Sequence, residues 1–176
     1  MSVIQLFPHQ QQALANVVQA VEGGQSGYLL NLDTGTGKTV VALKLVADRL
    51  AEDPSHTTLV VVPKSLVGTW VGEWVKMGYS AADWCVFHGH AKDVVGKPGA
   101  LTITTKETLL SVLKTHSAAA IFQHEYDLLI VDEAHLLGGI EGRVNRVSPP
   151  QYSLVMETIR RTFTLLLTGT TVEPRF

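Results

Sequence analysis

One short stretch limits what this chain can fold into. Tyr28–Leu32 is an apolar, strand-like run, and Val40–Leu50 places Val40, Val41, Leu43, Leu45 and Val46 at helical spacing. Between them lies Asp33-Thr34-Gly35-Thr36-Gly37-Lys38-Thr39. Glycines at a strand-to-helix turn let backbone N–H groups point inward around an anion, and the helix N-terminus adds the positive end of its dipole. Lys38 is then placed to neutralise the β- and γ-phosphates of a nucleotide, and the Thr39 hydroxyl to bind Mg²⁺. Gly35, Thr36 and Gly37 form the rest of the cradle. The general phosphate-loop pattern asks for glycine five positions before Gly37, where this chain has Leu32. A purely structural glycine turn would not call for Gly-Lys-Thr at the mouth of a helix.

The remaining segments alternate in the same way. Helical spacing covers Gln10–Val21, Leu66–Met77, Lys106–Lys114, a short Ala118–Gln123 and Gln151–Arg161. Strand-like runs cover Thr57–Val62, halted by Pro63, then Trp84–Phe87, Leu101–Thr104, Tyr126–Val131 and Phe163–Leu167. These runs are apolar without alternation, as in a parallel sheet covered on both faces. The expectation is one doubly wound α/β domain in three layers, with its ligand at the carboxyl ends of the strands. With 176 residues, 45% hydrophobic and 17% charged, the chain is sized and composed for one such core. Gly138–Pro150 has neither period and reads as a surface loop, with Arg143 and Arg146 solvated.

A second chemical signal sits at the end of a strand. Asp127-Leu128-Leu129-Ile130-Val131 runs into Asp132-Glu133. Such a pair alone is usually an ordinary turn. Downstream of a phosphate cradle it reads differently, because two carboxylates at a buried strand end are costly unless a cation is held there. Asp132 is placed to hold Mg²⁺, directly or through water, and Glu133 to polarise an attacking water.

Other signals are weaker. The seven histidines, including His88 and His90, lack acidic or cysteine partners at metal-ligand spacing. Trp70 and Trp74 stand four apart, which makes Trp74 a core residue and leaves Trp70 open. The single cysteine, Cys85, lies in an apolar strand as a small buried residue, and it allows no internal disulfide. A formal net charge of −2 provides no global basic field, so any nucleic-acid contact must be local or made by backbone amides. No secretory leader is visible in Met1–Gln10 and no apolar run is long enough to span a membrane, so an intracellular location is expected.

Taken together, these motifs resemble the superfamily-two helicases. Leu6-Phe7-Pro8-His9-Gln10 looks like the adenine-recognising segment, Gly35–Thr39 like motif I, and Val60–Leu66 with Trp70 and Glu73 like motif Ia. Thr104–Thr108 looks like motif Ib, Asp132-Glu133-Ala134-His135 is a DEAH-type motif II, and Leu167-Thr168-Gly169-Thr170 looks like motif III. The Leu-Phe-Pro-His-Gln opening, Pro-Lys-Ser-Leu with its following Trp, and Leu-Leu-Leu-Thr-Gly-Thr lean toward Swi/Snf-type double-stranded DNA translocases. Two departures stand out. Thr171 replaces the proline of that type, and Asp-Thr-Gly-Thr-Gly is closer to restriction-type or phage-type helicases.

The resemblance implies an N-terminal RecA-like ATP-binding domain using ATP and Mg²⁺, with Gln10 reading the adenine edge. It implies that Lys64, Ser65, Thr105 and Lys106 touch the phosphate backbone of one strand, and that His135, Thr168 and Thr170 couple nucleotide state to that track. It also implies a second RecA-like domain, in cis or in trans, supplying an arginine finger. The 176 residues show no second set of motifs. Acting alone, the chain is expected to be a monomer that binds nucleotide and turns it over very slowly. Half of an RNA helicase, half of a restriction- or phage-type helicase, and a non-enzymatic nucleotide-binding module stay open as alternatives.

Overall fold

Among the described residues, six apolar strands pair side by side: β1 (Gly27–Asn31), β2 (Thr58–Val61), β3 (Trp84–Phe87), β4 (Leu101–Thr104), β5 (Glu125–Val131) and β6 (Arg160–Thr168). Their order across the sheet is β1-β6-β5-β2-β4-β3, and every pairing is parallel. Parallel neighbours cannot be joined by a tight turn, so the connections must cross over, and helices stand between strands along the described chain. These are α1 (Pro8–Glu22), α2 (Lys38–Glu52), α3 (Val67–Lys76), α4 (Lys106–Thr115), α5 (Ala120–Gln123) and α6 (Gln151–Thr158). The structure, a computed structural model, describes residues 5–88, 101–115, 119–134 and 151–169.

Strand geometry sends successive side chains to opposite faces. Val60, Ile103, Ile130 and Leu165 therefore pack with Val17 of α1, Val46 of α2 and Trp70 of α3. On the other face Leu59, Val61, Leu129 and Val131 pack with Leu109 of α4, Ile121 of α5 and Val155 of α6. Both faces are covered, which is why the strands read as unbroken apolar runs. The doubly wound, three-layer α/β expectation holds.

Trp70 and Trp74 lie on one side of α3, one turn apart, and both are fully buried. Trp74 stacks on Tyr79 with centroids 4.2 Å apart and meets Trp84 edge-on at 6.0 Å. Its indole donates to Asp83 Oδ2 at 2.9 Å, so the polar end is satisfied inside the packing.

Three expectations need adjusting. The last helix stops at Thr158, and Arg160 and Arg161 open β6, opposite Glu125 and Tyr126. Arg161 ends the helix from outside: its guanidinium donates to the carbonyl oxygens of Met156 and Ile159, the latter at 2.8 Å. The helix expected from Leu66 is preceded by a 3₁₀ turn, Lys64–Leu66, because Pro63 sets the entry. Cys85 is half-buried rather than buried, since β3 is the sheet's edge strand. The Gly138–Pro150 segment, with Arg143 and Arg146, lies outside the described residues, as do His90, His135, Thr170 and Thr171.

Candidate nucleotide-binding site

The functional turns all lie at the carboxyl ends of the strands. Gly37 is the cap of α2, with φ 91° and ψ 32°, a left-handed conformation that favours glycine. Val41 N–H donates to Gly37 O at 3.1 Å, starting the helix ladder. The N–H groups of the first turn, Lys38, Thr39 and Val40, have no earlier helical carbonyl to bond and face the turn as donors for an anion. Gly35 is also left-handed, with φ 83°, and a side chain there would meet nothing within 4 Å, so this flank of the turn stands open.

Gln10 braces the turn from beneath. It sits at the third position of α1, after Pro8 at the first, and is only 6% exposed. Its Oε1 accepts from Phe7 N–H at 3.0 Å and its Nε2 donates to Thr36 O at 3.0 Å. His9 Nε2 also lies 3.1 Å from Thr36 O. Thr36 closes the turn on itself, its hydroxyl donating to Asp33 O at 2.6 Å. Lys38 Nζ donates to Leu32 O at 3.2 Å. Leu32, the position where the general pattern has glycine, continues the sheet: its N–H donates to Thr168 O at 3.2 Å.

Motif III closes against this turn. A methyl group built on Gly169 would lie 2.6 Å from Lys38 Nζ and 2.8 Å from Thr34 Oγ1. Thr168, buried at the end of β6, is thus adjacent to the phosphate cradle through its neighbour.

Asp132 continues β5, its N–H donating to Val61 O at 2.9 Å, and it is 6% exposed. Its two oxygens take one N–H each: Trp70 Nε1 reaches Oδ2 at 2.9 Å, and Glu133 N–H reaches Oδ1 at 2.9 Å. Two neutral donors do not neutralise a buried carboxylate, so this environment suits a cation. Glu133 follows at φ 53°, a strained value for a residue with a side chain, and such strain concentrates at working sites. The donor set fits Mg²⁺-nucleotide: one hydroxyl at Thr39, one carboxylate at Asp132, and the phosphates themselves as further oxygen ligands.

The model of the family described as "Type III restriction enzyme, res subunit" matches residues 3–173. The chain belongs to that family. With that match, the expectation of a RecA-like, nucleotide-using domain of the superfamily-two helicases stands. The chain is 27% identical over 178 aligned residues to the human DNA excision repair protein ERCC-6-like, covering 96% of this chain and 13% of that protein. The fold matches the Sulfolobus solfataricus SWI2/SNF2 ATPase core in complex with dsDNA, at a TM-score of 0.79 and 21% identity, covering 98% of this chain and 33% of that one. The UvsW helicase from bacteriophage T4 follows at a TM-score of 0.65 and 19% identity, covering 95% of this chain and 53% of that one. The chain thus spans well under two thirds of the length of each of these proteins.

The family's remaining motifs are placed unevenly. Lys64 and Ser65 are exposed on the 3₁₀ turn after β2. Lys106 is half-buried at the start of α4. Thr105 departs from expectation. It is 3% exposed and caps α4, its hydroxyl accepting from Thr108 N–H at 3.2 Å and lying 3.0 Å from Thr108 Oγ1. With its side chain committed inward, it is not a surface contact for a phosphate backbone. Sequence reasoning placed Trp70 beside motif Ia but left its part open; the further signal was a second tryptophan on the buried stripe of α3, with a polar end in need of a partner. His9 and Gly169 stood inside motifs but were given no role of their own, because their contacts are with residues far away in the chain.

Proposed function

We propose that this chain binds Mg²⁺-ATP and forms the ATP-hydrolysing half of a motor that moves on double-stranded DNA, completed by a second RecA-like domain in cis or in trans. The observation that carries this reading is the close approach of two separate segments, with a third at the same end of the sheet. Lys38 of the phosphate turn lies against Gly169 of motif III, and the buried Asp132 of motif II follows β5, the strand next to β6.

In this reading the first-turn amides of α2 and Lys38 hold the phosphates, and Gln10 faces the adenine edge while bracing Thr36. Thr39 and Asp132 hold the Mg²⁺, which offsets charge on the transferring phosphoryl group. Glu133 accepts the proton of the attacking water. Lys64, Ser65 and Lys106 contact one strand's phosphates, which positions the track without reading its sequence. Thr168, with His135 and Thr170, couples the two ends. Support for DNA comes from likeness to a SWI2/SNF2 core whose structure holds dsDNA. An intracellular location accords with this, and no helix among the described residues is long and apolar enough to cross a membrane.

The test is calorimetric titration of Mg²⁺-ADP into the protein and into Lys38→Ala. Loss of a charge-assisted contact worth about 1.5–3 kcal/mol weakens binding roughly 10- to 150-fold. Equal affinities would remove Lys38 from the site.

A further inference from the structure

The Asp132 carboxylate is held by a residue that no part of the nucleotide chemistry requires. Trp70 is fully buried on α3, 62 positions away in the chain, and its indole N–H donates to Asp132 Oδ2 at 2.9 Å. Indole is a donor and never an acceptor, so this bond has one polarity and one direction. The Glu133 amide fixes the other oxygen at 2.9 Å. Two N–H groups on two oxygens set the plane of the carboxylate and leave its remaining lone pairs to face a ligand. The two residues of the pair differ in how they are anchored. Asp132 hangs from the end of β5, while Trp70 sits one turn into α3, after the Lys64–Leu66 turn whose Lys64 and Ser65 are exposed.

We propose that Trp70 is a positioning residue: it orients the Asp132 carboxylate for Mg²⁺ and ties that acid to the turn carrying Lys64 and Ser65. This rests on the Mg²⁺-nucleotide reading above. Trp70→Phe would keep a flat buried ring and remove the donor, leaving Asp132 Oδ2 without its buried partner and the carboxylate held by the Glu133 amide alone. The metal-dependent part of nucleotide affinity then falls, and the metal-independent part, held by the phosphate turn, does not.

The experiment measures ADP binding by calorimetry in MgCl₂ and in EDTA for the wild-type protein, Trp70→Phe, Asp132→Asn and the double variant. Trp70→Phe is expected to weaken binding about tenfold in MgCl₂, the scale of one buried hydrogen bond to a charged group. It should leave binding in EDTA unchanged and add nothing in the Asp132→Asn background. Equal losses in both buffers, no loss in either, or additive effects in the double variant would overturn the proposal. Where Trp70→Phe fails to fold, ¹⁵N-indole spectra of the wild-type protein decide. One of its three tryptophan N–H resonances must move when Mg²⁺ is added to the ADP-bound protein and must lose its position in Asp132→Asn; three unmoved resonances would overturn the proposal. Wild-type binding that ignores Mg²⁺ altogether sinks the underlying site reading and this proposal with it, whereas a variant-only failure sinks the proposal alone.

Discussion

Replacing Gly37 by alanine tests how the phosphate turn is built. The added Cβ would land on Gln10 Nε2 and lie 3.3 Å from its Cδ, at a backbone φ of 91°. Two costs arise. Holding a residue with a side chain in the left-handed region costs about 1–2 kcal/mol. Evicting Gln10 removes its bonds to Phe7 N–H and Thr36 O, each worth about 0.5–1.5 kcal/mol. The sum is roughly 2–5 kcal/mol, a large part of a domain's stability. Gly35→Ala is the internal control. Its φ is 83° but nothing stands within 4 Å of the new methyl, so only the strain of about 1–2 kcal/mol applies. Urea unfolding at constant m-value measures both. A third variant, Gln10→Ala, isolates the eviction: once Gln10 is gone, Gly37→Ala should cost strain alone. The two substitutions should therefore couple by about 1–3 kcal/mol in a double-mutant cycle. Strictly additive effects, or equal costs at Gly35 and Gly37, would refute the brace.

Glu133→Gln should leave Mg²⁺-nucleotide binding intact and abolish turnover of the assembled motor, while Asp132→Ala should reduce Mg²⁺-dependent binding itself; an unchanged ATPase rate with Glu133→Gln would contradict the assigned role. His56 gives a pH dependence of stability. Burial pushes its imidazole pKa down, against the pull of the Asp127 carboxylate 3.9 Å away, and its Nε2 has no hydrogen-bond partner among the described residues. The folded state therefore takes up this proton at lower pH than the unfolded chain, whose histidine titrates near about 6.5. Between those two values the unfolded state binds more protons, so this contribution to stability is complete above that pH and falls as pH drops below it. His56→Gln should flatten the slope of unfolding free energy between neutral and mildly acidic pH; an identical slope would remove His56 from the account.

Much of this arrangement was legible along the chain, and the exceptions share a cause. Strands β3 and β4 fall where their apolar runs fall. The phosphate turn and the acidic strand end are local patterns whose geometry follows from glycine, helix capping and strand ends. What escaped depends on distant partners. Arg160 and Arg161 carry no period of their own, and pairing with Glu125 and Tyr126 placed them in β6. Thr105 reads as a polar residue after a strand, and only the start of α4 explains why it is turned inward. The order β1-β6-β5-β2-β4-β3 is set by packing across the sheet, which no window of sequence contains. The indole of Trp70 found its acceptor in a segment 62 residues on.

In the motor proposed above, parts must return to the same place after each stroke, and slack in any joint is lost travel. Here the sheet's ladder does not stop where the strands stop. Leu32 N–H is bonded to Thr168 O at 3.2 Å, Asp132 N–H to Val61 O at 2.9 Å, and Val62 N–H to Thr104 O at 3.0 Å. Each rung ties the first residue of one turn to the root of another: the phosphate turn to motif III, motif II to motif Ia, motif Ia to motif Ib. Within each linked pair a shift of one turn is passed to the other with little play, because it stretches a directional bond in a close-packed interior. Play between such linked turns is set by hydrogen-bond geometry rather than by the free length of their loops.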